Sequence, residues 1–118
     1  MNADIQMVPM QEKHIPALAQ LERLCFSQPW TENGLRSELH NKLAVFCVAE
    51  QNGQVLGYAG MQCVMGECYI NNIAVFPQFR GMGIGTRLVQ MLIEQAIQRN
   101  GVFISLEVRV SNQQAISI

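Results

Sequence analysis

From Phe76 to Leu88 the chain reads Phe-Pro-Gln-Phe-Arg-Gly-Met-Gly-Ile-Gly-Thr-Arg-Leu, with glycines at 81, 83 and 85 between Arg80 and Arg87. The chemistry open to such a stretch is anion binding. A β-rich run, Ile73-Ala74-Val75, precedes it, and Leu88, Leu92 and Ala96 follow at helical spacing, so the glycines fill a turn from strand into helix. The first N–H groups of a helix lack intrahelical acceptors and carry partial positive charge, which suits a phosphate. Glycines remove the β-carbons that would hold a pyrophosphate off the backbone, and the two arginines add full charges. The second candidate is Glu107, the only charge between Gly101 and Val108, after the apolar run Val102-Phe103-Ile104-Ser105-Leu106. A carboxylate there either faces a cleft, where it can take a proton, or lies on the solvated side of a sheet. Arg109 shares its face, so a plain ion pair competes with the catalytic reading.

Two well-known phosphate loops do not fit. The dinucleotide fingerprint G-x-G-x-x-G follows a first strand, whereas here the sixth position is Thr86 and several strands come first. A Walker loop needs Gly-Lys-Ser/Thr, which is absent. A ligand-free helix start is the bland alternative, but each interior glycine costs up to about 1 kcal/mol against alanine.

The elements that must hold these residues follow from periodicity. Ile5, Met7 and Pro9 mark a short first strand, and Ile15, Leu18, Leu21 and Leu24/Cys25 give an amphipathic helix from Gln11 to Cys25, with Glu12, Lys13, Glu22 and Arg23 between the apolar positions. Phe26-Ser27-Gln28-Pro29-Trp30 interrupts it, and Thr31 is placed to cap a second helix through Leu39. Leu43 to Glu50, Val55 to Val64 and Glu67 to Val75 read as three antiparallel strands joined at Asn52-Gly53 and Met65-Gly66. A helix from Ile84 to Asn100 closes at Gly101, and Val102 to Val110 returns as a strand parallel to its predecessor. The order β-α-α-β-β-β-α-β predicts an α/β (α+β) domain with a mixed, mostly antiparallel sheet flanked by helices.

The bulk properties set limits on partners. At 118 residues, 49% hydrophobic, 14% charged and net charge -1, the chain is expected to form one folded domain over 1–118, with no broad nucleic-acid field. Cys25, Cys47, Cys63 and Cys68 show no C-x-x-C spacing and no nearby histidine pair, so no metal is expected. A turn at Met65-Gly66 places Cys63 opposite Cys68; in a reducing cytoplasm the expectation is free thiols. The longest apolar run, Leu43 to Ala49, is too short for a membrane helix, and a cytoplasmic chain without membrane partners is expected. His14 and His40 read as surface residues with no visible partner. Phe26 and Trp30 either line an acceptor groove or plug the core between helices.

Tyr69 to Val75, Pro77 and then Arg80-Gly81-Met82-Gly83-Ile84-Gly85 together resemble the acyl-CoA motif of the GNAT superfamily of N-acetyltransferases, Q/R-x-x-G-x-G/A, with Arg80, Gly83 and Gly85 in its fixed positions. Phe26 to Trp30 and Leu106-Glu107-Val108-Arg109-Val110-Ser111-Asn112 are similar to the RimI type, the ribosomal-protein-alanine N-acetyltransferases. The resemblance covers nearly the whole chain. It implies acetyl-CoA as co-substrate, with Arg80, Gly81, Met82, Gly83, Ile84, Gly85, Thr86 and Arg87 around the pyrophosphate, and Asn112 also on the cofactor. Ile73, Ala74 and Val75 would pair with pantetheine and polarise the thioester, and Phe26 and Trp30 would meet the acceptor. Glu107 matches the family's general base. The acceptor that the resemblance implies is a protein α-amine, that of an alanine-starting ribosomal protein; its pKa of about 8, against about 10.4 for lysine, suits a single carboxylate base.

The family continues beyond Ser-Asn into a helix with a Leu-Tyr pair and two more strands. Asn112, Ala115 and Ile116 fit that helix's start, and Ile118 falls one residue before the tyrosine, the family's proposed general acid for the CoA thiolate. The expectation is a C-terminally short domain that keeps its acyl-CoA cradle and turns over poorly. A non-catalytic acyl-CoA-binding remnant and an enzyme for small-molecule amines are the alternatives.

Overall fold

The computed structural model describes residues 4–106. Five strands form one sheet in the order β1-β2-β3-β4-β5: β1 (Gln6–Pro9), β2 (Ala44–Gln51), β3 (Gln54–Val64), β4 (Glu67–Val75) and β5 (Phe103–Leu106). The first four pair antiparallel, and β5 runs parallel to β4 from Glu67↔Phe103 to Ile70↔Leu106. Helices α1 (Ile15–Cys25), α2 (Glu32–Glu38) and α3 (Ile84–Gln98) complete the expected order, with 3-10 turns at Glu12–His14 and Pro77–Phe79. The α3 helix makes the crossover from β4 to β5, as parallel neighbours require.

Local chemistry sets the punctuation. Asn52-Gly53 and Met65-Gly66 hold positive φ at both residues (53° and 78°; 52° and 86°), the geometry whose twist matches paired strands. Thr31 Oγ1 accepts from the Gly34 N–H at 3.0 Å, the expected cap of α2. Pro16 sits in the first turn of α1, where its missing N–H has no helical acceptor to lose.

The sheet separates two apolar layers. On one face Ile84, Leu88, Leu92 and Ala96 of α3 cover Cys47, Ala49, Met61, Cys68, Ile70, Ile73 and Val75. On the other, Ile15, Leu18, Leu21 and Leu35 of α1 and α2 cover Val48, Tyr58 and Ala74. Strict alternation cannot produce this sorting in β4. The register jumps from Gly60↔Asn72 to Met61↔Ile70, so Asn71 is an extra residue, a β-bulge. Before it Cys68 and Ile70 face α3; after it Ile73 and Val75 do, and Asn72 and Ala74 turn toward α1.

Three expectations are corrected. His14 is not a surface residue: it is 2% exposed, its Nδ1 accepts from the Gln11 N–H at 2.9 Å, and Nε2 therefore holds the proton it shares with Glu50 Oε2 at 2.8 Å. The cause is the 3-10 turn, which rotates residue 14 inward ahead of the α-helical register. Cys63 and Cys68, expected as free thiols, form a disulfide, because the Met65-Gly66 turn sets them opposite each other with Cα atoms 4.1 Å apart. Glu22, read on the polar side of α1, is fully buried, since it lies one turn after Leu18 on the packed face.

Candidate active site

At the end of β4 the chain must leave the sheet and enter α3. Phe76 N–H still bonds Leu56 O at 2.9 Å, the Pro77–Phe79 turn reverses the chain, and Gly81 and Gly83 adopt φ of 82° and 78° before Ile84 starts the helix. Gly83 is the N-cap, and among the described residues no side chain caps the helix. The first helical backbone bond runs from Arg87 N–H to Gly83 O, which leaves the N–H groups of Ile84, Gly85 and Thr86 without intrahelical acceptors. Around Gly81 and Gly83 a β-carbon would meet nothing within 4 Å. The result is an uncapped, electropositive helix end beside open space, with Gly81, Met82, Gly83, Thr86 and Arg87 exposed and Ile84 and Gly85 buried beneath.

The two arginines are held by backbone carbonyls and, for Arg80, also by a cysteine sulfur. Arg80 Nε donates to Val75 O at 3.0 Å and its Nη2 to Cys25 Sγ at 3.3 Å, tying the loop to the end of β4 and to the last turn of α1. Arg87 Nη2 donates to Ile5 O at 2.9 Å, so α3 is fixed to the start of the first strand. Among the described residues neither guanidinium is paired with a carboxylate, and both charges remain uncancelled beside the loop.

Ile73, Ala74 and Val75 pair with Ala59, Tyr58 and Gly57 of β3 and are buried, so their side chains serve the two core layers while their backbone leads straight into the glycine loop. Gly57 is required there: a β-carbon on it would lie 2.7 Å from Ala74 O. Phe26 is 6% exposed and packs under α1 and α2; Trp30 is half-buried with its ring edge-on to Phe46, centroids 6.5 Å apart. Glu107 and Asn112 lie outside the described residues. No group of three or more His, Cys, Asp or Glu side chains among the described residues is arranged to hold a metal, and no helix among them is long and apolar enough to cross a membrane.

Sequence reasoning missed a polar cluster between the loop and β4. Glu22 Oε1 accepts from the Trp30 N–H at 2.9 Å, Glu22 Oε2 accepts from Tyr58 OH at 2.5 Å, and Asn72 Nδ2 donates to Tyr58 OH at 3.3 Å. Glu22, Tyr58 and Asn72 are each at most 2% exposed. Two signals were present: a glutamate at i+4 from Leu18, and the broken alternation of Ile70-Asn71-Asn72-Ile73.

A mixed sheet whose fourth strand turns through glycines into an uncapped helix is the frame of an acyl-CoA transferase, and the chain belongs to the Acetyltransferase (GNAT) family, which it matches over residues 15–118. It is an acetyltransferase by that membership. An Escherichia coli (strain K12) protein named [ribosomal protein bS18]-alanine N-acetyltransferase is 31% identical over 109 residues, 92% of this chain and 73% of that one. A Bacillus subtilis (strain 168) protein given the same name provisionally is 36% identical over 107 residues, 90% of this chain and 71% of that one. The crystal structure of the Escherichia coli ribosomal-protein-S18-alanine N-acetyltransferase superimposes with a TM-score of 0.81 at 29% identity, covering 97% of this chain and 73% of that one. The RimI-type resemblance read from the sequence is thereby met by relatives of that name.

Proposed function

We propose that this acetyltransferase uses acetyl-CoA to acetylate the α-amine of a protein N-terminus, with an alanine-starting ribosomal protein as the acceptor. The observation that carries the donor half is the uncapped start of α3 with Gly81 and Gly83 at positive φ beside open space. Backbone N–H groups from Met82 to Thr86 would hold the pyrophosphate with the Arg87 side chain beside them, and Ile73 to Val75, upstream in β4, would run beside pantetheine. The names of the relatives support the acceptor half.

In this reading the amine nitrogen attacks the thioester carbonyl, and Glu107 takes the proton that the nitrogen loses. The carbonyl oxygen becomes an oxyanion and is stabilised by N–H donors of the β4 segment. The C–S bond then breaks with its electron pair on sulfur, the coenzyme A thiolate takes a proton from water, and Glu107 returns the amine proton to solvent. The acceptor approaches beside Trp30, and Asn112 contributes to the cofactor site.

The test is mass spectrometry of peptides incubated with acetyl-CoA. A peptide with a free N-terminal alanine gains one acetyl group, and the same peptide with a blocked N-terminus and an internal lysine does not. Glu107→Gln lowers kcat by about 100-fold or more while acetyl-CoA binding stays unchanged. Equal modification of both peptides refutes α-amine selectivity, and undiminished turnover of Glu107→Gln refutes the base assignment.

A further inference from the structure

The last turn of α1 touches both sides of the reaction. Cys25 receives Arg80 from the donor loop, and one turn earlier Glu22 accepts from the Trp30 backbone N–H in the segment between α1 and α2. Glu22 is a carboxylate with 0% exposure, and removing such a group from water is unfavourable unless it accepts hydrogen bonds. Its second oxygen takes the Tyr58 hydroxyl, and that hydroxyl takes Asn72, the residue directly before Ile73 on β4.

A second, apolar path joins the same endpoints. The Trp30 ring meets Phe46 edge-on, and Phe46 stacks on Tyr58 with centroids 6.1 Å apart and planes 12° from parallel. Gly60 makes room for that stack, because a β-carbon there would lie 2.3 Å from the Phe46 ring. Gly60 is also the partner of Asn72 at the bulge, so the bulge aims Asn72 at Tyr58 and the missing side chain of its partner admits Phe46. Trp30 is therefore held through its backbone by Glu22 and through its ring by Phe46, and both lines end on Tyr58.

We propose that Glu22, Tyr58 and Asn72 are positioning residues that lock the Trp30 segment to the β4 strand, so that the acceptor is presented in register with the thioester. None of them touches the reacting atoms; they act through Trp30 and through the β4 backbone. The inference rests on the acetyl-CoA and α-amine reading above, and it assigns to this buried cluster the alignment of acceptor with donor. A carboxylate suits the task because a charge-assisted acceptor holds a backbone N–H more firmly than a neutral one.

The chain has a single tryptophan, so its fluorescence reports this segment alone. Glu22→Gln and Tyr58→Phe are made; the second removes only a hydroxyl and keeps the ring stack. In both, acrylamide quenching of Trp30 rises about twofold, and KM for the alanine-starting peptide rises about tenfold while KM for acetyl-CoA stays within about twofold. Trp30 quenching at the wild-type level in folded Tyr58→Phe overturns the proposal, as does a parallel change of both KM values with no selective effect on the peptide. The quenching arm needs no turnover. A wild-type chain that acetylates no peptide therefore refutes the functional reading, while the lock is still judged on Trp30.

Discussion

Replacing Gly83 with alanine separates the backbone role of the glycine loop from its binding role, because the fold supplies a matched control. Gly83 and Gly53 share a φ of 78°, and a β-carbon at either would meet nothing within 4 Å. An L-residue in this left-handed region costs about 1 to 2 kcal/mol. For a domain of this size that lowers Tm by roughly 4 to 8 °C, and by the same amount at both positions. The variants diverge only if the open space at Gly83 belongs to a ligand. A methyl group in front of the first N–H groups of α3 removes at least one charge-assisted hydrogen bond to phosphate, about 1.5 to 3 kcal/mol. At 1.4 kcal/mol per decade, acetyl-CoA then binds about 10- to 150-fold more weakly. Gly53→Ala, at the β2–β3 hairpin, leaves affinity within about twofold. Calorimetric titration of acetyl-CoA into both folded variants reads the difference, and thermal melts check the matched strain. Equal affinities refute the assignment of the pyrophosphate to this loop.

Two further outcomes follow from the cysteines. Burial pushes the Cys47 thiol from 9.0 up to about 12, so between those values the unfolded chain releases a proton that the native chain keeps. Its contribution to stability is complete below pH 9 and is lost as pH rises toward about 12. Urea melts across that range fall more steeply for wild type than for Cys47→Ala, and equal slopes refute the burial argument. The Cys63–Cys68 bridge spans a sequence separation of 5. Closing so short a loop restricts the unfolded chain by about 2 kcal/mol, so a phosphine reductant lowers the stability by no more than about that amount. A larger loss in paired urea melts, or none, contradicts the bridge as a simple hairpin staple.

Much of the fold was legible because its signals are local. The helical spacing of Leu88, Leu92 and Ala96, the two glycine turns of the meander and the Thr31 cap each depend on a few neighbouring residues, and the structure places all of them as expected. The GNAT assignment was legible for the same reason: Arg80, Gly83 and Gly85 sit within one turn-and-helix unit. The errors lie where two distant segments decide a side chain's surroundings. His14 looks like a surface histidine until β2 brings Glu50 beside it, 36 residues away. Cys63 and Cys68 are a different kind of error: the Met65-Gly66 turn already places them opposite each other in the sequence, and only the assumed compartment made them free thiols.

The glycine-rich stretch thus carries its own meaning. Its anion-binding geometry comes from backbone groups of consecutive residues, and the residues that permit that geometry are written in order. Glu22 is the opposite case. Its charge argues for solvent, and only packing of α1 on the sheet, with Tyr58 rising from β3 and Asn72 turned inward by a bulge in β4, makes it the buried acceptor for Trp30. A bulge shifts the face of every residue after it, and whether one forms depends on what the neighbouring strand and helix can accommodate. That is a property of the assembled sheet, and it decides that Asn72 meets Tyr58 and Glu22.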